Sequence, residues 1–270
     1  MIDIHSHILW GLDDGARTLE QSLAMLKVAR EFGTTDIVAT PHANLRYQFR
    51  DNTIDQRIQE LSAASGGSPR VHRGCDFHLS FDNVHEALRD HAKFSINGSQ
   101  YILIEFPEPL LSGMDQILKA LLNRGLIPIM THPERHAHLC HLPPEFEEWI
   151  RMGCLVQITA QSLLGRFGKR SERAAWELIR RGLVHFVASD AHDDIDRTPR
   201  LDAAFRAVSS RISAAHAKLL FVDNPKTMLC QGQVRSESGT SPSTLAAGFT
   251  ANLLRPRLAD QLRVRFGLRQ

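Results

Sequence analysis

Long apolar runs are absent from this chain: no stretch approaches the ~18 consecutive apolar residues of a membrane-spanning helix, so nothing reads as a span. Cysteine is scarce. The four, Cys75, Cys140, Cys154 and Cys230, share no short spacing, which argues against a zinc ribbon and a disulfide framework. Six positions after them stand Phe81, Phe146, Ala160 and Ser236 rather than arginine, which excludes the loop of a thiol phosphatase. No Gly-x-Ser-x-Gly elbow and no phosphate-cradling Gly-rich loop with lysine is present. A formal net charge of +2 gives no general electrostatic case for nucleic acid. Asp194-Ile-Asp196-Arg-Thr198 copies the aspartyl-phosphate motif, but the apolar strand before it ends at Ser189, so the match is accidental.

What is present is an alternation of strand and helix signals. With 270 residues, 43% of them hydrophobic, the chain can bury one large core. Thr18 and Gln21 form a capping box, Leu19, Leu23, Leu26 and Ala29 follow at helical spacing, and Gly33 supplies the stop. Strands are expected near 2–5, 36–40, 71–75, 101–105, 127–131, 154–158, 184–189 and, less regularly, 219–222. Helices are expected near 54–64, 81–91, 112–124, 144–152, 170–181 and 199–213. Near-continuous apolar strands indicate a parallel sheet covered by helices, and about seven units favour closure into a TIM-like barrel over an open sheet. Residues 1–230 are assigned to that barrel. Residues 231–270 read as a linker followed by a basic appendage: 236–248 are rich in Ser, Gly and Thr, and Arg255, Arg257, Arg263, Arg265 and Arg269 face only Asp260.

Five of the strand-like segments end in ligand-type residues. His5 and His7, spaced i, i+2, can present both rings to one point. His42 closes Asp36–His42, Glu105 closes Tyr101–Glu105, His132 closes Ile127–His132, and Asp190 and His192 close the segment from His185. Asp13 or Asp14, and Asp76, complete the candidates. In a barrel such residues collect at the carboxyl ends of the strands. Histidine and carboxylate without thiolate suit Mn²⁺, Fe²⁺ or Zn²⁺, and this many ligands implies two or three clustered ions. The remaining histidines, among them His72, His78, His85, His91, His185 and His216, are read as structural. The His136, His138, His141 and Cys140 run matches no closed zinc pattern.

Asp3-Ile-His-Ser-His7, Asp13-Asp-Gly15, Thr40-Pro-His42, Tyr101–Phe106, Thr131-His-Pro-Glu-Arg135, Ala188–His192 and Asp223-Asn-Pro225 together resemble the polymerase and histidinol phosphatase (PHP) superfamily. Within it they are most similar to the metal-dependent protein tyrosine phosphatases of bacterial capsule and exopolysaccharide operons. The resemblance implies a distorted α/β barrel, TIM-like with seven strands, and three ions, Mn²⁺ first and Fe²⁺, Zn²⁺ or Co²⁺ next. It implies His5, His7, Asp76 and Asp190 around one ion, Asp76, Glu105 and His132 around a second, and Asp14, His42 and His192 around a third. Asp76 stands where the pattern has glutamate. Arg135 and Arg197 correspond to two phosphate-binding arginines. A metal-activated hydroxide would attack phosphotyrosine on the tail of a tyrosine kinase controlling polysaccharide export. The expected compartment is the cytoplasm. The alternatives are another PHP phosphoesterase, such as one acting on histidinol phosphate, and a non-catalytic metal-binding regulatory module.

Overall fold

The computed structural model describes residues 1–234. Its nine strands are β1 (Ile2–Ser6), β2 (Asp36–Ala39), β3 (His42–Ala43), β4 (Arg70–Arg73), β5 (Asp76–His78), β6 (Tyr101–Glu105), β7 (Ile127–Thr131), β8 (Leu155–Thr159) and β9 (Phe186–Ala188). Helices alternate with them: α1 (Leu19–Glu31), α2 (Asp51–Ser65), α3 (Phe81–Arg89), α4 (Met114–Asn123), α5 (Pro144–Arg151), α6 (Ala160–Leu163), α7 (Gly168–Arg180), α8 (Asp202–Arg211), α9 (Ala214–Lys218) and α10 (Asn224–Leu229). All strand pairs are parallel, in one sheet of order β1-β2-β4 and a second of order β3-β5-β6-β7-β8-β9.

The two sheets follow each other along the same chain segments. Ala39 lies opposite Arg73 and His42 opposite Asp76, so β3 and β5 resume the register that β2 and β4 left. The breaks fall at Thr40-Pro41, where proline has no N–H to donate, and at Gly74-Cys75. A Cβ on Gly74 would fall 2.6 Å from Val38 Cγ1, so only glycine allows this approach. At the other edge, Asp190 donates its N–H to the His5 carbonyl at 2.9 Å and His7 donates to Ala191 at 2.8 Å, tying β1 to the residues that follow β9.

Alternate residues along the central strands serve two cores, the arrangement of a sheet buried on both faces. Ile102, Ile104, Val156 and Ile158 pack with Phe77, Leu118 and Phe146 beneath the helices. Leu103, Ile129 and Leu155 pack with Ile4, Val38 and Phe186 on the other side. Fully burying each such side chain contributes roughly 1.5–3 kcal/mol. Continuing the same alternation one step places Glu105, Thr131 and Gln157 on the second face, so polar groups cap that apolar layer where the strands end.

Strands are found at seven of the eight expected places. The exception is 219–222, where Leu219–Asp223 forms a helical π turn between α9 and α10. A short apolar run reads alike as a buried strand or a buried helix, and here Leu220 and Phe221 are buried by helical packing. Thr18 caps α1 by accepting from the Gln21 N–H, as expected, while the Gln21 side chain reaches back to the Arg17 N–H. Gly232 accepts a 2.5 Å hydrogen bond from the Tyr101 hydroxyl and Val234 is buried against Ile2 and Ile4. The rest of the expected appendage lies outside the described residues. No described helix is long and apolar enough to cross a membrane.

Candidate metal centre

Every ligand-type residue expected from the sequence reaches one place, at the carboxyl ends of the strands. One ligand atom each from His7, Asp14, His42 and His192 lie within 4.8 Å of one another, and so do those of His5, His7 and Asp190, of His5, Asp76 and His132, and of His42, Asp76 and Glu105. The four sets share members, so the cluster is continuous. These sets overlap with those the resemblance implies but pair His132 with His5 and Asp76, and Glu105 with His42 and Asp76. The Nε2 atoms of His5 and His7 face each other at 3.3 Å.

The backbone is bent to make this possible. His132, directly after β7, and Asp190, two residues after β9, have φ of 34° and 51°, the left-handed region that non-glycine residues occupy only where the surroundings compel it. Gly15 lets the loop after β1 close onto the site, because a Cβ there would fall 2.1 Å from the His7 carbonyl oxygen.

A buried outer layer orients the rings. Gln157 Oε1 lies 2.9 Å from His5 Nδ1, and Asp13 Oδ2 lies 2.7 Å from His7 Nδ1 while also accepting the His42 N–H at 3.0 Å. Asp3 receives the Ser189 N–H and hydroxyl, and buried Glu134 receives the Thr159 N–H and the Ser162 hydroxyl. The adjacent carboxylates Asp13 and Asp14 therefore do different things: Asp13 fixes His7, and Asp14 Oδ1 points at His42 and His192, at 3.4 and 3.6 Å. Gln157 carried no signal in the sequence, since it meets His5 across 152 residues, and Glu134, though inside the Thr131–Arg135 motif, had no role assigned to it. Of the histidines read as structural, His78 stands at the margin, with Nδ1 3.4 Å from Glu105. Among the described residues no further metal-type cluster includes His136, whose ring lies 3.1 Å from the Pro107 carbonyl.

The charges here are strongly interdependent. Burial alone would lower His7, yet Asp13 and Asp190 hold it up to about 9; burial likewise opposes His42, which Asp14 and Asp76 raise to about 11. His132 is pushed down to about 3 by burial and Arg135, and His192 to about 3 by burial and His7. Burial would raise Asp76, but His5 and His42 hold it well below the usual carboxylate range. Asp76 is fully buried and neither of its oxygens has a hydrogen-bond donor, though His42 Nδ1 approaches to 3.1 Å. A buried carboxylate without donors and two imidazole nitrogens facing each other fit divalent cations, which would satisfy both.

Two guanidinium groups stand at the mouth. Arg135 and Arg197 both reach Asp190 Oδ2, Arg197 at 2.6 Å, whereas Asp190 Oδ1 turns to His5 and His7 at 3.6 and 3.4 Å. Both also lie over the ring of Phe167, at 4.2 and 5.8 Å. About a third or less of each side chain is exposed, enough to meet a ligand from solvent.

The profile of the family described as Capsular polysaccharide synthesis, CpsB/CapC, matches residues 1–230. The chain belongs to that family. It is 34% identical over 198 residues to the tyrosine-protein phosphatase YwqE of Bacillus subtilis, covering 72% of this chain and 78% of the relative. It is 31% identical over 241 residues to the tyrosine-protein phosphatase CpsB of Streptococcus pneumoniae, covering 85% and 98%. A crystal structure from work on YwqE and CpsB, described as unique metal-dependent tyrosine phosphatases, superposes with a TM-score of 0.82 at 30% identity over 89% of this chain and 99% of the other. A dihydropyrimidinase from Brevibacillus agri, at 11% identity and a TM-score of 0.55, covering 88% and 73%, shares the fold alone.

Proposed function

We propose that this CpsB/CapC-family chain is a metal-dependent protein-tyrosine phosphatase of capsule or exopolysaccharide biosynthesis, acting on the phosphotyrosine tail of a bacterial tyrosine kinase in the cytoplasm. The observation that carries the reading is the convergence of His5, His7, Asp14, His42, Asp76, Glu105, His132, Asp190 and His192 on one cluster beside two arginines. These nine residues would hold two or three ions. Manganese is the first choice, with Fe²⁺, Zn²⁺ or Co²⁺ as substitutes, because the donor set is imidazole and carboxylate without thiolate. The seven strand lines, with β1 hydrogen-bonded beside the residues after β9, support a distorted TIM-like barrel.

Bound divalent ions would supply a hydroxide nucleophile at neutral pH and a countercharge for the phosphoryl oxygens. The residues of the chain do the rest. Arg135 and Arg197, held over Phe167, present planar forks that bond two oxygens at once, so they orient the phosphoryl group and take up charge developing on it. Asp13 and Gln157 keep Nε2 of His7 and His5 turned inward. A tyrosine phenolate, pKa ~10, departs without a strong general acid, and this reading requires none. Initial rates on phosphotyrosine peptides, phosphoserine peptides and histidinol phosphate test the assignment: phosphotyrosine is preferred, and preference for histidinol phosphate would overturn it.

A further inference from the structure

A second feature adjoins the metal cluster and plays no part in the chemistry above. The loop that leaves Glu105 toward α4 and the loop that leaves His132 toward α5 enclose a cavity of about 770 Å³. Its floor is apolar: Trp149 and Met114 are buried, and Leu110 and Leu111 are half-buried. Trp149 stacks on Phe106 with ring centroids 5.4 Å apart, and Phe106 directly follows Glu105, so a single peptide step joins the floor to a residue of the metal cluster. Three carboxylates, Glu108, Asp115 and Glu145, stand in the lining; Asp115 pairs with Lys119 at 3.7 Å, whereas no lysine or arginine stands among the lining residues themselves. Glu108 is anchored by the Ala137 N–H at 2.5 Å, and Glu145 lies 3.2 Å from His138.

An apolar floor beneath anchored carboxylates matches a side chain with an aliphatic stem and a cationic head. The geometry points to this groove as the subsite for a lysine or arginine that flanks the phosphotyrosine of the substrate, a specificity element that rests on the phosphatase reading. The occupant is a substrate segment because the groove begins three residues beyond Glu105 and four beyond His132. A chain whose phosphotyrosine sits at the ions must pass along one of the walls of the mouth, and this wall carries a cavity of complementary charge and apolar depth. Volume supports the match, since small-ligand clefts run from about 300 to 1,000 Å³.

The test scans a single lysine, and separately a single glutamate, through each position on either side of phosphotyrosine in an otherwise neutral peptide, using the full-length manganese-loaded protein. At one or more positions kcat/KM for the lysine peptide exceeds that for the glutamate peptide by roughly three-fold or more, the scale of a partly exposed charge pair. In the Glu108→Lys, Glu145→Lys double variant the same ratio inverts, which a purely structural role for these residues would not produce. The ratio in the unmodified protein also shrinks as salt rises, a readout that needs no variant. A ratio of unity at every position, a ratio indifferent to salt, or a preference retained by the folded double variant overturns the proposal. Failure to hydrolyse any phosphotyrosine peptide overturns the phosphatase reading and the subsite with it, and that result is distinguishable from equal turnover of all peptides.

Discussion

Asp13 holds the imidazole of His7 through a 2.7 Å contact from Oδ2 to Nδ1, with both side chains withdrawn from solvent. The contact fixes which nitrogen His7 turns toward His5, His42 and Asp190. Asp13→Asn is therefore expected to weaken Mn²⁺ binding by about 10- to 100-fold, the usual consequence of losing a carboxylate behind a ligating histidine. Activity titrated against Mn²⁺ would recover most of its maximum at high metal. Unchanged metal affinity would remove Asp13 from this role.

Gly15 lies against His7 so closely that any side chain must displace it. Gly15→Ala should cost about 1–3 kcal/mol, as overpacking does, and reduce bound metal as well. Thermal melting and elemental analysis of the same sample check this, and a variant with native stability and metal content would refute it.

Arg135 and Arg197 share Asp190 Oδ2, so each removes some negative charge from a candidate ligand. Replacing either by Ala should lower kcat/KM on phosphotyrosine about 100-fold, near the 3 kcal/mol of a charge-assisted contact that strengthens in the transition state. Metal affinity should hold or rise, because a neighbouring cation is gone. A fall in bound metal with kcat/KM intact at saturating Mn²⁺ would reverse the assigned roles.

His185 is buried, and its Nδ1 accepts the Val156 N–H at 3.1 Å, which only the neutral ring can do; burial pushes its pKa down to about 4. The unfolded chain, at ~6.5, binds more protons between those values. Stability from this group is thus present above ~6.5 and is lost as pH falls toward about 4, on the order of 3 kcal/mol in all. Urea unfolding at neutral and mildly acidic pH should show a smaller pH dependence for His185→Gln than for the unmodified protein. Equal slopes would mean that His185 charges within the fold.

Most of the candidate ligands were legible because they close apolar runs that read as strands; Asp14 and Asp76 do not, Asp14 lying in the loop after β1 and Asp76 opening β5. Asp13 and Asp14 were not separable, since adjacent carboxylates differ only in the direction the loop gives them. Gln157 meets His5 across 152 residues, and no local pattern announces such a contact. The left-handed backbone at His132 and Asp190 is likewise imposed by tertiary packing, against the preference of both residue types. The short strands β3 and β5 lie past the ends of the strands expected at 36–40 and 71–75, and the breaks before them at Thr40-Pro41 and Gly74-Cys75 follow from a missing donor and a close approach to Val38. Leu219–Val222 was misassigned because its apolar run lacks a period that would tell strand from helix.

The central claim is that hydrolysis depends on cations held by these nine residues. The direct measurement is phosphotyrosine-peptide turnover by metal-stripped protein before and after adding Mn²⁺, with His5→Ala, His132→Ala, Asp190→Ala and His192→Ala alongside. The account predicts no turnover when stripped, recovery with Mn²⁺ in the unmodified protein, and neither recovery nor full metal content in folded variants. Turnover by the stripped protein, or normal recovery in two of the four variants, would contradict it.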